Sequence, residues 1–155
     1  MDELERILAE VTDPEIPVIT IRDLGILRDV AVDEAGHVTV TITPTYSGCP
    51  AMDVIREDVQ RVLAEHGHAD SEVRLALAPA WTTDWMTEAG KRQLREYGIA
   101  PPGRTDGPVG LTLSVRCPQC GSPDTRQTAR FGSTACKALY VCRSCAEPFD
   151  HFKAI

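Results

Sequence analysis

The sequence predicts an α+β protein in which a small sheet is covered by helices, in the order α-β-β-α-β-α, followed by a C-terminal four-cysteine, zinc-ribbon-like domain. Three observations predict it. Apolar residues recur at helical spacing near residues 4–11 and 52–63, they alternate with polar ones in three short runs, and five of the six cysteines lie beyond residue 103. The 155 residues suffice to remove roughly 68–70% of the unfolded chain's surface from water, so a real core is available.

Leu4, Ile7, Leu8 and Val11 fall at i, i+3, i+4 and i+7 and predict an opening amphipathic helix. Pro14, within Asp13-Pro14-Glu15, makes its continuation unfavourable. Ile26, Arg28, Val30 and Val32 read as a first strand, and Val38, Val40 and Ile42 alternate with threonines as a second. Asp33-Glu34-Ala35-Gly36 is the hairpin turn between them. Met52, Ile55, Val59, Val62 and Leu63 mark a helix from about Pro50 to Glu65, and Val73, Leu75 and Leu77 a third strand. Residues near Asp84 to Tyr97 predict another helix, closed by Gly98.

Gly98, Pro101, Pro102, Gly103, Gly107, Pro108 and Gly110 then crowd one short stretch, where proline removes backbone donors and glycine adds freedom. The division expected is a first domain over 1–100, a linker over 101–110 and a cysteine domain over 111–155. Residues 1–100 carry 19 acidic against 9 basic side chains, a poor footprint for a phosphate backbone, so no nucleic-acid partner is expected. No run is long and apolar enough to span a bilayer, and the acidic start, Met1-Asp2-Glu3-Leu4-Glu5, is unlike a signal peptide. The expected location is cytoplasmic, with no membrane association.

The strongest chemical signal is Cys117-Pro118-Gln119-Cys120-Gly121 with Cys142-Arg143-Ser144-Cys145. Two Cys-x-x-Cys turns can present four thiolates to one tetrahedral centre. Leu111, Leu113 and Val115 alternate just before the first pair, as a strand leading into a ribbon would. Disulfides are disfavoured in a reducing cytosol. A structural zinc is the expected occupant; iron, which four thiolates also suit, is the alternative. Cys136 is a further thiol of this region: a small core residue, an alternative ligand or a partner contact, with Lys137 favouring its thiolate if both are exposed.

Cys49 follows Thr43-Pro44-Thr45-Tyr46-Ser47-Gly48 and directly precedes Pro50. With Pro50 at the first helical position, Cys49 is expected to be the N-cap, where unpaired amides and the helix dipole would lower its thiol pKa. Thr43, Thr45 and Ser47 add hydrogen-bonding capacity to the same loop, and a simply packed cysteine is the competing reading. Asp13 and Glu15 could ligate a metal or form a solvated turn. Trp81 and Trp85, with Asp84 between them, stand at an expected strand-to-helix junction; a partner-binding surface is favoured over the competing reading, in which they pack the core while Thr83 or Asp84 caps the helix. His37, His66, His68 and His151 are poorly placed to serve as base for a cysteine nucleophile, and Cys49 has no sequence-near resolving cysteine. A catalytic role is the weaker expectation.

Asp13-Pro14-Glu15, Asp23-Leu24-Gly25, Thr43-x-Thr45 leading to Cys49-Pro50, and Pro79-x-Trp81 together resemble the small domain of iron–sulfur cluster assembly factors, over about residues 1–97. The Trp81–Gly90 stretch, the linker and the cysteine domain with Phe131–Tyr140 resemble, over essentially the whole chain, the PaaD family of accessory subunits of the bacterial phenylacetyl-CoA ring epoxidase. The resemblance implies a non-catalytic factor assisting iron–sulfur or di-iron centre assembly in that multicomponent enzyme of aerobic phenylacetate breakdown. Its clients would be the reductase or the di-iron oxygenase. Cys49 matches the family's single characteristic cysteine, and Asp13 and Glu15 its acidic loop, so Cys49 is expected to hold iron or a transient iron–sulfur cluster, or to touch the client. The alternative is a structural or electron-transfer subunit with iron in the four-thiolate site. A homodimer is left open.

Overall fold

A computed structural model describes residues 2–46, 48–103 and 114–154. Two compact units make it up, Met1–Thr87 and Glu88–Ile155. Much of the expected linker, together with Leu111, Leu113 and Ser47, lies outside the described residues. No helix among the described residues is long and apolar enough to cross a membrane.

The first unit opens with α1 (Asp2–Leu8). Its apolar side chains Leu4, Ile7 and Leu8 are buried, and so is Val11, which lies just past the helix end rather than inside it. The chain turns there because Val11 is tied into other contacts: its carbonyl accepts from the Ile21 amide at 3.0 Å, and Thr12 bridges to Thr20. Strand β1 (Leu27–Val32) pairs antiparallel with β2 (Val38–Ile42) through the expected hairpin. Only Val30 of β1 is buried, and a register irregularity between Leu27 and Asp29 explains why the alternation read from the sequence is imperfect.

Helix α2 (Ala51–Glu65) returns across the sheet and buries Met52, Ile55, Val59, Val62 and Leu63, the residues its 3.6-residue period selects. Each such aliphatic contributes roughly 1.5–3 kcal/mol. Strand β3 (Ser71–Leu75) then joins β2 in parallel, giving the order β1-β2-β3. The strand is shorter than expected: Leu77 lies beyond it and is 66% exposed.

The expected helix over 84–97 is two pieces. A single 3-10 turn covers Thr83–Trp85, and α3 covers Glu88–Tyr97. Met86 between them is extended, at φ −68° and ψ 133°, and the Thr87 amide bonds the Asp23 carbonyl at 2.9 Å instead of continuing the helix. The capping residue of the turn is Thr82, whose hydroxyl accepts from the Asp84 amide.

In the second unit α3 leads into β4 (Ile99–Ala100), which pairs parallel with β7 (Pro148–Phe152). β5 (Thr125–Ala129) and β6 (Lys137–Cys142) form a hairpin, and the sheet order is β4-β7-β6-β5. Residues 88–100 therefore lie with the cysteine region here, whereas the composition of the sequence puts them with the first domain. One small cluster of this unit joins Ala100, Cys117, Cys142 and Phe149, with Val115 and Tyr140 packed against it, and Leu94, Ile99, Ala138 and Phe152 are buried as well. The Tyr140 ring stacks on Phe149 at 5.8 Å and meets His151 edge-on at 5.4 Å.

Candidate metal centre and the Cys49 loop

The two Cys-x-x-Cys turns are built by backbone bonds. The first closes through Gly121 N–H to Cys117 C=O at 2.9 Å and Cys117 N–H to Ser122 C=O at 3.0 Å. Gly121 sits at φ 75°, a left-handed value that glycine adopts without strain. The second closes through Cys142 N–H to Glu147 C=O at 2.9 Å, while the Cys145 amide donates to Cys142 Sγ at 3.4 Å. Ser122 and Ser144, one from each turn, share a hydrogen bond of 2.7 Å between their hydroxyls.

This brings Cys117, Cys120, Cys142 and Cys145 together, with all four sulfurs within 4.8 Å of one another. Cys117 lies 3.7 Å from Cys145 and Cys120 3.6 Å from Cys142, sulfur to sulfur. A tetrahedral centre with metal–sulfur bonds of about 2.3 Å needs sulfurs about 3.8 Å apart. The donor set fits a metal ion, and because all four positions come from protein the site is closed in the manner of a structural centre. The electrostatics agree. The Cys145 amide is the foremost of several hydrogen bonds that pull the Cys142 thiol down to about 7. At Cys145 the bond from the Glu147 backbone is outweighed by desolvation and by the neighbouring sulfurs, which push the thiol up to about 12. Four sulfurs this close cannot all ionise without a cation, so the arrangement gains most when one binds.

The other cysteines lie elsewhere. Cys136 is buried, its sulfur 3.0 Å from the Thr134 hydroxyl, and Lys137 is buried as well, so the exposed pair that would favour a thiolate is not formed. Cys49 is half-buried. It is not the N-cap of α2: Pro50 takes that position, with φ −67° and ψ −22°, and makes no side-chain cap bond. The Cys49 carbonyl still accepts from the Met52 amide at 3.2 Å, which fixes the loop to the first turn. Thr43, buried at the other end of the loop, donates its amide to Ile26 C=O at 2.9 Å, and Thr45 between them is half-buried.

Asp13 is buried and turns inward: its Oδ1 accepts the amides of Glu15 and Ile16, both at 2.8 Å, while Glu15 itself is exposed. Among the described residues, the four ribbon cysteines are the one group of three or more His, Cys, Asp or Glu whose ligand atoms converge; Asp13, Glu15 and Cys49 form no such group. Trp81 is a core residue, against the surface placement expected for it. It is 4% exposed and donates its indole N–H to the Leu24 carbonyl at 3.1 Å. Trp85 is half-buried under the Arg28 guanidinium, 3.6 Å from the ring centroid, and Asp84 is exposed.

The purpose of Asp23-Leu24-Gly25, a motif the sequence displays without explaining, is visible here. Asp23 accepts the Thr87 hydroxyl at 2.7 Å, Leu24 accepts the Trp81 indole, and Gly25 touches Trp85 so closely that a Cβ would stand 2.8 Å from the Trp85 Cβ. These three residues seat the 81–87 segment.

Residues 1–75 match the family of iron–sulfur cluster assembly proteins, and residues 101–153 match the PaaD zinc beta ribbon domain. The chain is 49% identical, over 99% of its length and 92% of the other's, to an Escherichia coli (strain K12) protein whose provisional name makes it a component of 1,2-phenylacetyl-CoA epoxidase. It is also 40% identical to an Fe-S protein maturation auxiliary factor of Porphyromonas gingivalis (strain ATCC BAA-308 / W83), over 60% of this chain and 89% of that one. A crystal structure of a domain of unknown function, DUF59, from Bacillus anthracis superposes with a TM-score of 0.56 at 33% identity, covering 60% of this chain and 89% of that chain. Fold and site thus define a protein that couples an iron–sulfur-assembly domain to a four-cysteine ribbon. The chain belongs to the PaaD family.

Proposed function

We propose that this protein is a non-catalytic accessory factor, acting in the cytoplasm, that helps build or maintain the iron–sulfur or di-iron centre of a multicomponent phenylacetyl-CoA epoxidase. The observation that carries this reading is the end-to-end likeness to the Escherichia coli protein, which spans the assembly-type first unit and the ribbon together. The geometry supports a division of labour. The closed four-sulfur site suits a resident zinc held by Cys117, Cys120, Cys142 and Cys145, which gives the ribbon its shape. The half-buried Cys49, in a loop anchored at both ends, is the group available to iron as cargo, with the client's own ligands completing the coordination. Thr43 and Thr45 shape that loop; Asp13 holds the acidic turn through the Glu15 and Ile16 amides. Asp84 and Trp85 offer the reductase or the oxygenase a partly exposed face for docking.

The test is co-expression of the epoxidase components with the wild-type protein or with Cys49→Ser. The expected result is a folded variant that still co-purifies with its client in a pull-down from cells growing on phenylacetate, while the client's iron content and activity fall. Unchanged client iron would remove the cargo role. Elemental analysis of the untagged protein decides the second reading, which the four-thiolate donor set also admits: a colourless zinc protein supports the accessory role, and a red iron chromophore supports an electron-transfer role.

A further inference from the structure

The sheet of the first unit ends at β3. Among the described residues β3 is hydrogen-bonded only to β2. Asp70 C=O and Ala76 N–H both point to β2, accepting from Val38 and donating to Ile42. Backbone groups alternate in direction along a strand in a parallel pair, so those of Ser71, Val73 and Leu75 face the open side. Side chains alternate as well. Ser71, Val73 and Leu75 are in register with Val38, Val40 and Ile42, which are wholly buried on the helix-covered face. Yet Leu75 remains 43% exposed. Glu72 and Arg74 occupy the opposite face, exposed and 2.9 Å apart.

We infer that β3 is the contact strand of a two-fold dimer, in which the partner is a second copy of this chain and the two β3 strands run antiparallel with Val73 opposite Val73. The open-side amides and carbonyls then meet as hydrogen-bonded pairs: Val73 with its mate, and Ser71 with Leu75 in each direction. Glu72 falls opposite Arg74 of the other copy, twice, in the non-hydrogen-bonded positions where side chains approach most closely. A strand guarded against pairing carries proline or one sign of charge at such positions. β3 carries no proline and one charge of each sign, placed so that a two-fold axis matches them. That axis stands perpendicular to the joined six-stranded sheet, so both α2 helices lie on the same face and flank the exposed Leu75 side chains.

The experiment is sedimentation equilibrium on the full-length zinc-loaded protein. A concentration-dependent dimer is expected. Glu72→Arg alone sets arginine against arginine and Arg74→Glu alone sets glutamate against glutamate, so each should weaken dimerisation about tenfold or more. Mixing the two variants should restore it, because every cross-strand pair is again opposite in sign. Neither variant can form the pair within its own chain, so recovery on mixing reports contact between chains. A wild-type protein that stays monomeric at every concentration, single variants as dimeric as the wild type, or a mixture no tighter than its components would each overturn the assignment.

Discussion

Trp81 donates its indole N–H to the carbonyl of Leu24 at 3.1 Å, joining residues that are 57 positions apart. The bond locks the segment after β3 onto the segment before β1, and the indole body is buried beneath it. Trp81→Phe keeps most of the volume but strands a buried carbonyl, with an expected loss of about 1–3 kcal/mol. Trp81→Ala adds a cavity and should lose about 3–5 kcal/mol. Urea unfolding of the first unit measures both, and a Trp81→Phe variant as stable as the wild type would show that the hydrogen bond contributes nothing.

Gly25 makes a second prediction. Its φ of 83° alone costs about 1–2 kcal/mol for an alanine, and the new methyl would collide with Trp85 at 2.8 Å. Gly25→Ala should therefore lower the midpoint of unfolding and move the Trp85 indole resonance, because the ring must slide from beneath Arg28. An unmoved resonance would contradict this packing.

Removal of metal should act on one unit. A strong chelator, or Cys120→Ser, should abolish ordered amide signals from β5 to β7, since two of the four sulfur ligands, Cys117 and Cys142, belong to a small core cluster of that unit. Signals from α2 and the β1-β2-β3 sheet should persist. Two-dimensional NMR on the full chain decides it, and loss of both sets together would refute the independence of the two units.

His151 supplies a pH prediction. Burial lowers its pKa from the usual 6.5, against the opposing bond to the Ala100 carbonyl at 3.2 Å. A group whose folded pKa is depressed favours the folded state above its unfolded pKa. That contribution is lost as pH falls through the lower folded value. The His151 ring protons of the zinc-loaded protein should accordingly titrate with a midpoint below 6.5. In His151→Gln, the part of the acid destabilisation that comes from this ring should disappear.

Much of this architecture is legible in the residues alone. The spacing of Leu4, Ile7 and Leu8, and of Ile55, Val59 and Leu63, reports directly which face of a helix is buried, because the period is local. The two Cys-x-x-Cys turns are legible for the same reason: each is a closed motif of four residues. Trp81 is not, because its partner is 57 residues away and a single aromatic after a strand has no period to read. β5 escapes notice because its middle residues are exposed on both faces and leave no alternation. The N-cap falls at Pro50 rather than Cys49, a shift of one residue at a helix boundary that residue type alone does not decide.

Strands β2 and β3 run the same way, and α2 must be laid down before they can meet. The hairpin of β1 and β2 can zip early, whereas β3 waits for a long crossover to form. The loop that carries Cys49 opens that crossover, so within the first unit it should gain its final setting only once β3 has docked on β2. Damage to β3, far along the sequence, would thus be felt as a slow or incomplete setting of the thiol.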